Sequence, residues 1–219
     1  MVNAHGIPLG ILETFFLNVT LLFIMGGLML EISKNKNYGL NFTLLALILF
    51  SVVGRLLLNP IPNIQPVTTV MLLTGIFMGH KRALFAGFAV AFLSNLVLGN
   101  GIWTLYQGLG WGMVGMVGAL LSHHLLIEDK LQMNKLIIVG ASMGVVFNWI
   151  VSLSILHYVE YIDFPLFILS GLGYDLLHAG GNIFFIAWMA TPIQNFIQNE
   201  YPLRIQNTEP NKLLRSERT

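Results

Sequence analysis

Apolar runs long enough to cross a bilayer are the feature that most constrains how this chain can fold. A transmembrane helix needs about 20 mostly apolar residues, and several stretches approach or exceed that length. Charged residues make up 10% of the 219 residues and the mean hydropathy is +0.74, whereas about a quarter of the residues in soluble domains are charged. The sequence therefore predicts an integral membrane protein. Its spans must be helices, because the runs lack the alternation of barrel strands and lipid cannot satisfy open backbone amides.

Counting these runs predicts seven spans, of which the third and fourth are the shortest. They cover residues 11–32, 40–58, 67–79, 83–98, 103–126, 136–159 and 164–193.

The basic residues give a check on this count. If the amino terminus lies outside, ten of the eleven lysines and arginines fall in segments on the cytoplasmic side, as the positive-inside rule requires. The connection between the sixth and seventh spans carries Glu160 and Asp163 instead. We therefore predict a multi-pass protein of the cell membrane with a cytoplasmic carboxyl terminus. The ten residues are Lys34, Lys36, Lys81, Arg82, Lys130, Lys135, Arg204, Lys212, Arg215 and Arg218.

Several kinds of chemistry are excluded by the residues the chain lacks. It has no cysteine, which excludes disulfides, thiolate metal sites and cysteine nucleophiles. It has no P-loop, no HExxH and no GxSxG motif, and no basic tract suited to nucleic acid. His123 and His124 are adjacent, so they point in different directions and cannot form one metal-binding face. We expect no metal and no cofactor.

Arg55 is the basic residue outside this pattern, and it lies near the outer end of the second span. A charge inside a membrane is costly unless something pairs with it. Arg55 could therefore contact an anionic or polar group of a ligand, reach out to the interface, or form a structural ion pair. The candidate ion-pair partners are Glu13, Glu160, Asp163 and Asp175.

A proline-rich break follows Arg55. Pro60, Pro62 and Pro66 prevent a regular helix over residues 59–65. We expect this loop, which includes Gln65, to cap the outer mouth of the bundle or to serve as a rigid connector.

The fifth span carries a polar and aromatic stripe. Its members occur at i, i+3, i+4 and i+8, so they share one helical face that could hold a ligand. Trp103 and Tyr106 also fit an aromatic belt at the interface. Asn95 and Asn100 lie beside the Gly-Asn-Gly turn that precedes this span. The members of the stripe are Trp103, Tyr106, Gln107 and Trp111.

The last span contains a second polar group, which follows Tyr174. Asp175, His178 and Asn182 share one face by i+3 and i+4 spacing. Both a ligand site and a buried structural network fit this arrangement, and an intramembrane acid favours the site.

Several spans contain pairs of glycines that are four residues apart. The pairs at 75 and 79, 108 and 112, and 140 and 144 are typical of close helix packing.

Taken in order, these motifs resemble the membrane-embedded substrate-binding (S) components of energy-coupling factor (ECF) vitamin transporters. The similarity extends over residues 40–192. It rests on a Ser-Asn pair, a Gly-x-Gly-x-Trp-Thr-x-x-Gln turn, a Trp-Gly helix and a late Asp-x-x-His-Ala-x-Gly-Asn motif. These are Ser94, Asn95, Gly99, Gly101, Trp103, Thr104, Gln107, Trp111 and Gly112, and then Asp175, His178, Ala179, Gly181 and Asn182.

The resemblance implies that the protein captures a vitamin from outside the cell. It implies delivery by association with a transmembrane coupling protein and two ATPases, which explains why the chain carries no nucleotide motif. The motifs are most similar to the cobalamin branch, and a pocket of aromatics and amides suits a large corrinoid; riboflavin, folate, pantothenate and a thiamine precursor stay open. The predicted substrate-binding residues are Arg55, Gln65, Asn95, Asn100, Trp103, Tyr106, Gln107, Trp111, Tyr174, Asp175, His178 and Asn182.

The same resemblance divides the chain into three parts. Residues 1–39 form an additional amino-terminal helix and turn, residues 40–193 a six-helix core, and residues 194–219 a cytoplasmic tail. The second span has only Ala46, Ser51 and Gly54 as small residues, and so departs from the Ala-x-x-x-Ala face that often contacts the coupling protein in that family.

Two other classes of protein remain open. A seven-helix receptor fits the number of spans, although a retinal protein is excluded because no lysine lies between Lys135 and Lys212. An intramembrane enzyme acting on a lipid-like substrate could use Asp175 with His178, or Ser170 with His178. The second pair is separated by about 12 Å along one helix.

Overall fold

The computed structural model describes residues 9–34, 38–158 and 160–200. Within these residues the chain is mostly α-helical, with two 3-10 helices, Leu153–His157 and Tyr161–Asp163, one short hairpin and a loop over residues 58–66. The elements are α1 (Ile11–Ser33), α2 (Tyr38–Leu57), α3 (Val67–Met78), α4 (His80–Leu98), α5 (Ile102–Leu120), α6 (Ser122–Leu125), β1 (Leu126–Ile127), β2 (Lys130–Leu131), α7 (Met133–Ser152), α8 (Phe164–Ser170) and α9 (Leu172–Glu200).

Four helical segments are long and apolar enough to cross a membrane. They are Ile11–Ser33, His80–Leu98, Met133–His157 and Leu172–Asn199, while Asn41–Leu57, Val67–Met78 and Tyr161–Ser170 are shorter apolar helices. Many large apolar side chains point outwards, among them Phe23, Leu30 and Trp188, and soluble monomers rarely expose so much apolar surface. The all-α prediction is confirmed, and the protein is membrane-embedded.

Four predicted spans, the fourth to the seventh, have bounds in the structure that differ by three residues or more. The fourth begins at His80 rather than at residue 83. The sixth ends as an α-helix at Ser152 and continues as a 3-10 turn. The seventh is split into α8, which begins with Pro165 in its first turn, and α9, which continues past residue 193 to Glu200.

The predicted end of the fifth span is a separate short helix followed by a hairpin. Helix α5 ends at Leu120, α6 covers Ser122–Leu125, and strands β1 and β2 then pair antiparallel. Glu128 and Asp129 form the two-residue turn with positive φ angles of 49° and 58°, which matches the backbone of a type I′ turn. The apolar run therefore ends where this polar pair reverses the chain.

Glycines bring α3, α4 and α5 together. A Cβ at Gly75 would lie 1.8 Å from the Gly115 carbonyl oxygen, and one at Gly118 would lie 2.3 Å from the Leu72 carbonyl oxygen. A Cβ at Gly87 would lie 2.5 Å from a backbone nitrogen of α5. Only glycine permits backbones to approach this closely. Helix α3 lies at the centre, and all twelve of its residues are buried.

Gly79 does not have the helix-packing role that the sequence predicts for the glycine pair at 75 and 79. A Cβ at this position would have nothing within 4 Å, but its φ angle is +85°. Gly79 therefore permits the reversal between α3 and α4, and it packs against no neighbouring helix.

The two ends of the bundle differ in charge. One end carries the α3–α4 connection and the hairpin, and the end of α1 joins it through a 2.9 Å ion pair between Glu31 and Lys81. Gln194 of α9 donates to the Asp129 carbonyl oxygen there. Every described lysine and arginine except Arg55 lies at this end, namely Lys34, Lys81, Arg82, Lys130 and Lys135. Lys36, Arg204, Lys212, Arg215 and Arg218 lie outside the described residues.

Helix α1 packs on the outside of this assembly. Leu17 and Leu21 form a small apolar cluster with Phe88 of α4, separate from the main core that α2–α5, α7 and α9 share. The remainder of α1 is largely exposed.

Candidate functional site

Arg55 lies in the last turn of α2, at the end of the bundle opposite the hairpin. Its side chain is 5% exposed. The Nη1 group donates to Ser94 Oγ and, at 2.9 Å, to Asn95 Oδ1, and the guanidinium carbon lies 5.0 Å from the centroid of the Trp111 ring. The Nε atom is buried without a hydrogen-bond partner.

This geometry corrects two interpretations of Arg55. The side chain does not reach out to the interface, because neighbouring helices bury it. It does not form an ion pair within the described chain, where both salt bridges use Glu31. Its neighbours are neutral.

Asn95 connects Arg55 to a group of amides and hydroxyls that we name the amide cluster. Its Nδ2 group donates to Thr104 Oγ1 at 2.8 Å and to Gln107 Oε1 at 2.7 Å. Thr104 donates to Asn100 Oδ1, and Asn100 donates to Asn18 of α1. The amide cluster consists of Asn18, Asn95, Asn100, Thr104 and Gln107.

Two glycines position this cluster. Gly99 ends α4 with a φ angle of +106°, a conformation that other residues rarely adopt. At Gly101 a Cβ would lie 2.1 Å from the Trp103 ring. The short turn between α4 and α5 therefore brings Asn95 of one helix against Thr104 and Gln107 of the next.

Trp111 joins Arg55 to a second group, the histidine cluster. Its Nε1 group donates to Thr68 Oγ1 at 3.3 Å, and its ring stacks on Phe147 with centroids 4.7 Å apart. Thr68 Oγ1 lies 2.8 Å from His178 Nε2, and His178 Nδ1 lies 2.9 Å from Asn148 Oδ1. The histidine cluster consists of Thr68, Asn148, Trp149, Asp175 and His178.

The donors and acceptors of the histidine cluster assign the histidine tautomer. Asn148 uses its Nδ2 group to donate to Asp175 Oδ1, so its oxygen faces His178 and accepts the Nδ1 proton. The Nε2 atom then accepts from Thr68, whose own lone pair accepts from Trp111. A neutral imidazole protonated on Nδ1 satisfies every one of these contacts.

Asp175 is as deeply buried as Arg55 but is better satisfied. It is 5% exposed, and its two oxygens accept from Asn148 Nδ2 at 2.9 Å and from Trp149 Nε1 at 3.0 Å. Both of its oxygens are therefore held by donors on α7.

Asn182 lies deeper and belongs to the packing of α7 against α9. It is fully buried and donates to the Gly140 carbonyl oxygen at 2.9 Å. A Cβ at Gly144 would lie 2.8 Å from its Nδ2 atom. Its Oδ1 atom is buried without a partner.

The remaining predicted residues lie outside the two clusters. Gln65 is half-buried in the loop before α3. Tyr106 pairs with His157 at 3.1 Å. Tyr174 is 54% exposed, and its carbonyl oxygen accepts from Asn63. Trp103 is buried, so it does not form part of an exposed aromatic belt.

Seven of the predicted site residues therefore lie together in the structure. Other residues that the sequence does not predict as site residues join them. The seven are Arg55, Asn95, Asn100, Gln107, Trp111, Asp175 and His178. The additions include Thr68, Asn148 and Trp149. The adjacent Asn148 and Trp149 interrupt an otherwise apolar run, which was a signal available in the sequence.

The described surface also has a groove that is not part of this site. A volume of about 730 Å³ lies against α1, lined by Val19, Leu22, Phe23, Gly26, Gly27, Met29, Leu30 and Ser33. Its almost wholly apolar lining matches the hydrocarbon of a bilayer, and it contains none of the predicted site residues. Within the described ranges no group of three or more histidines and carboxylates is placed to hold a metal ion.

The fold and the two clusters define the class of this protein: a membrane-embedded helical bundle with a buried polar network at one end. Residues 35–191 match DUF6580, a family of unknown function, and the chain belongs to that family. The match begins after α1 and includes both clusters except Asn18. No curated protein and no solved structure is significantly similar to the chain.

Proposed function

We propose that this protein is a membrane substrate-capture subunit that binds a vitamin-like micronutrient from outside the cell. One observation carries the proposal: seven helices each contribute a polar side chain to one connected network at a single end of an apolar bundle. Polar groups inside a membrane are expensive and mark functional sites. The contributors include Asn18, Arg55, Thr68, Asn95, Gln107, Asn148 and His178.

The charge distribution supports an outward orientation for this network. The described lysines and arginines other than Arg55 gather at the opposite end of the bundle, and such residues favour the cytoplasmic side. With seven spans and an outside amino terminus, the two clusters face the exterior, where a nutrient is captured. Delivery would then use a separate coupling protein and two ATPases.

The network suits a ligand rich in hydrogen-bonding groups. Its amides and hydroxyls now bond to each other, so a ligand would replace these internal bonds with its own. The loop before α3 is held to α9 by the Asn63 contact with the Tyr174 carbonyl and by Ile64, whose Cα lies 3.3 Å from a Cβ placed at Gly181. A cobalamin-like corrinoid would require this loop to move further than a smaller vitamin would.

A second function is favoured by the geometry around His178. A hydroxyl 2.8 Å from Nε2, with Nδ1 bonded to an oriented side chain, is the arrangement of a nucleophile, a base and the group that orients the base. An intramembrane enzyme would therefore use Thr68. Ser170 does not contribute, because it is exposed and donates to the Phe167 carbonyl of its own helix.

Ligand identification tests the capture proposal directly. We expect mass spectrometry of the purified protein to show a co-purified vitamin, and titration with a vitamin panel to change the fluorescence of the buried Trp111. Asn95→Ala or Gln107→Ala should abolish that change, whereas Asn134→Ala, which alters an exposed residue near the hairpin, should retain it. Absence of binding across the panel by folded protein would contradict the proposal.

One variant separates capture from catalysis. His178→Ala should weaken ligand binding if the protein is a capture subunit. If it is an enzyme, the same change should abolish turnover of a lipid-like ester while leaving the binding of that ester almost unchanged.

A further inference from the structure

We propose that Arg55 recognises an anionic group, so that the ligand captured by this protein carries a carboxylate or a phosphate. The inference rests on the proposed capture function and names the chemical class of its substrate. It starts from the charge of the guanidinium, which stays protonated in proteins.

Among the described residues no carboxylate forms an ion pair with the buried guanidinium of Arg55. Its hydrogen-bond partners are a hydroxyl and an amide, and its stacking partner is an indole ring. Such neutral groups satisfy individual N–H bonds but do not neutralise a charge that helices remove from water. A bound anion would supply the missing charge.

The free edge of the guanidinium has the geometry for such an anion. Among the described residues, all its hydrogen bonds use Nη1, and the Nε atom is buried with no partner. Nε and the neighbouring Nη2 present two parallel N–H bonds, which is the arrangement that binds a carboxylate or phosphate through two oxygens.

Arg55 and Asp175, two buried ionisable residues of the network, differ in how fully they are hydrogen-bonded. Each oxygen of Asp175 accepts a hydrogen bond, from Asn148 and from Trp149. Arg55 has a buried donor, Nε, that bonds to nothing among the described residues. The orphaned donor of the network therefore belongs to the cationic residue, which suits an anion, and Trp111 and Asn95 hold the guanidinium in place for it.

Matched ligand pairs, each an anion and its neutral analogue, test the inference. Purified full-length protein in nanodiscs would be titrated with pantothenate and panthenol, nicotinate and nicotinamide, biotin and biotin amide, and riboflavin 5′-phosphate and riboflavin. We expect the anionic member of the binding pair to bind about 30-fold or more tightly than the neutral member, as for other buried charge pairs. Equal affinity for both members would overturn the inference.

Variants of Arg55 test the residue itself. Arg55→Gln should remove the preference for the anionic member, and Arg55→Lys should restore part of it, since lysine keeps the charge but loses the two-bond edge. Lys130→Gln, at the exposed hairpin, should leave the preference intact. An unchanged preference in Arg55→Gln would overturn the assignment, and the comparison within the unaltered protein stands even if that variant fails to fold.

The two proposals fail in different ways. If neither member of any pair and no other vitamin binds to folded protein, the capture function itself is wrong. If the vitamin that binds carries no carboxylate or phosphate, or if its neutral form binds equally well, the capture function stands and only the anion assignment is wrong.

Discussion

At the scale of single residues, Asn95 makes the contacts that hold the amide cluster to Arg55. Its oxygen accepts from the guanidinium, and its nitrogen donates to Thr104 and Gln107. One side chain therefore uses both of its polar atoms on three buried partners from two helices. Loss of this amide would leave all three partners short of a hydrogen bond.

Replacing Asn95 should therefore destabilise the protein. We expect Asn95→Leu, which is similar in size, to lower the free energy of unfolding by about 1–3 kcal/mol, because buried polar partners are left unsatisfied. Denaturant titration in mixed micelles would measure this change. Asn134→Ala serves as the control and should differ little from the unaltered protein, and a stability of Asn95→Leu equal to that of the control would contradict the prediction.

The sequence identified most polar members of the site but not how they pair. Arg55, Asn95, Gln107, Asp175 and His178 are conspicuous because each interrupts an apolar run. Thr68 was missed because a threonine beside the Pro66 break gives no such signal. Tyr174 was selected although it points outwards, since helix rotation depends on packing against neighbours and not on spacing alone.

At the scale of helices, α3 and α5 pack through their backbones. The close approach of Gly75 to Gly115 and of Gly118 to Leu72 leaves no room for side chains. This contact sets the rotation of α5 and so aims Gln107 towards Asn95 and Trp111 towards Arg55 and Thr68. The glycines on one face of α5 thus determine where the polar residues on its other face point.

Adding one methyl group should test this contact. Gly75→Ala would place a Cβ 1.8 Å from a carbonyl oxygen of α5, so we expect a loss of about 1–3 kcal/mol or more in the free energy of unfolding. Gly26→Ala is the matched control, because a Cβ at Gly26 meets nothing within 4 Å. It should leave the free energy of unfolding unchanged or raise it by up to about 1 kcal/mol, because alanine favours the helix over glycine. Equal stability of the two variants would show that α3 and α5 are not in backbone contact.

Gly79 should be sensitive for a different reason. Its φ angle of +85° with ψ at 167° is a region open almost only to glycine, so Gly79→Ala should cost about 1–3 kcal/mol without any clash. The control is Gly180→Ala, within α9 and equally free of neighbours. If both changes were tolerated alike in a denaturant titration, the positive φ angle would be incorrect.

Helix positions were largely predictable because apolar length and polar breaks determine them. The hairpin after α5 was not, since the apolar residues Leu125, Leu126 and Ile127 continue the pattern of the span. Helix α5 already ends at Leu120, and the short helix α6 precedes the hairpin. The reversal at Glu128 and Asp129 depends on three-dimensional pairing of β1 with β2.

At the scale of the whole molecule, polarity and charge lie at opposite ends. The amide and histidine clusters occupy one end, and the described cationic residues other than Arg55 occupy the other. Both properties predict the same orientation in a bilayer, with the cationic end on the cytoplasmic side and the two clusters on the outer side. The orientation is a prediction that chemistry on intact cells can test.

Single cysteines provide this test, because the natural chain has none. We expect Tyr161→Cys, at a position 81% exposed in the structure, to react with a membrane-impermeant maleimide on intact cells. Lys130→Cys, in the hairpin, should react only after the cells are lysed. Labelling of position 130 from outside would reverse the proposed orientation, and with it the exterior location of the site.

The short central helix α3 determines how deep the site would lie in a bilayer. Twelve residues give α3 a length of about 18 Å, whereas the hydrocarbon layer is about 30 Å thick. Since every residue of α3 is buried, its ends need not meet lipid, and irregular backbone is tolerated there below the bilayer surface. Arg55 and Thr68 would then lie below the bilayer surface, and a solute captured as proposed would shed much of its hydration before reaching them.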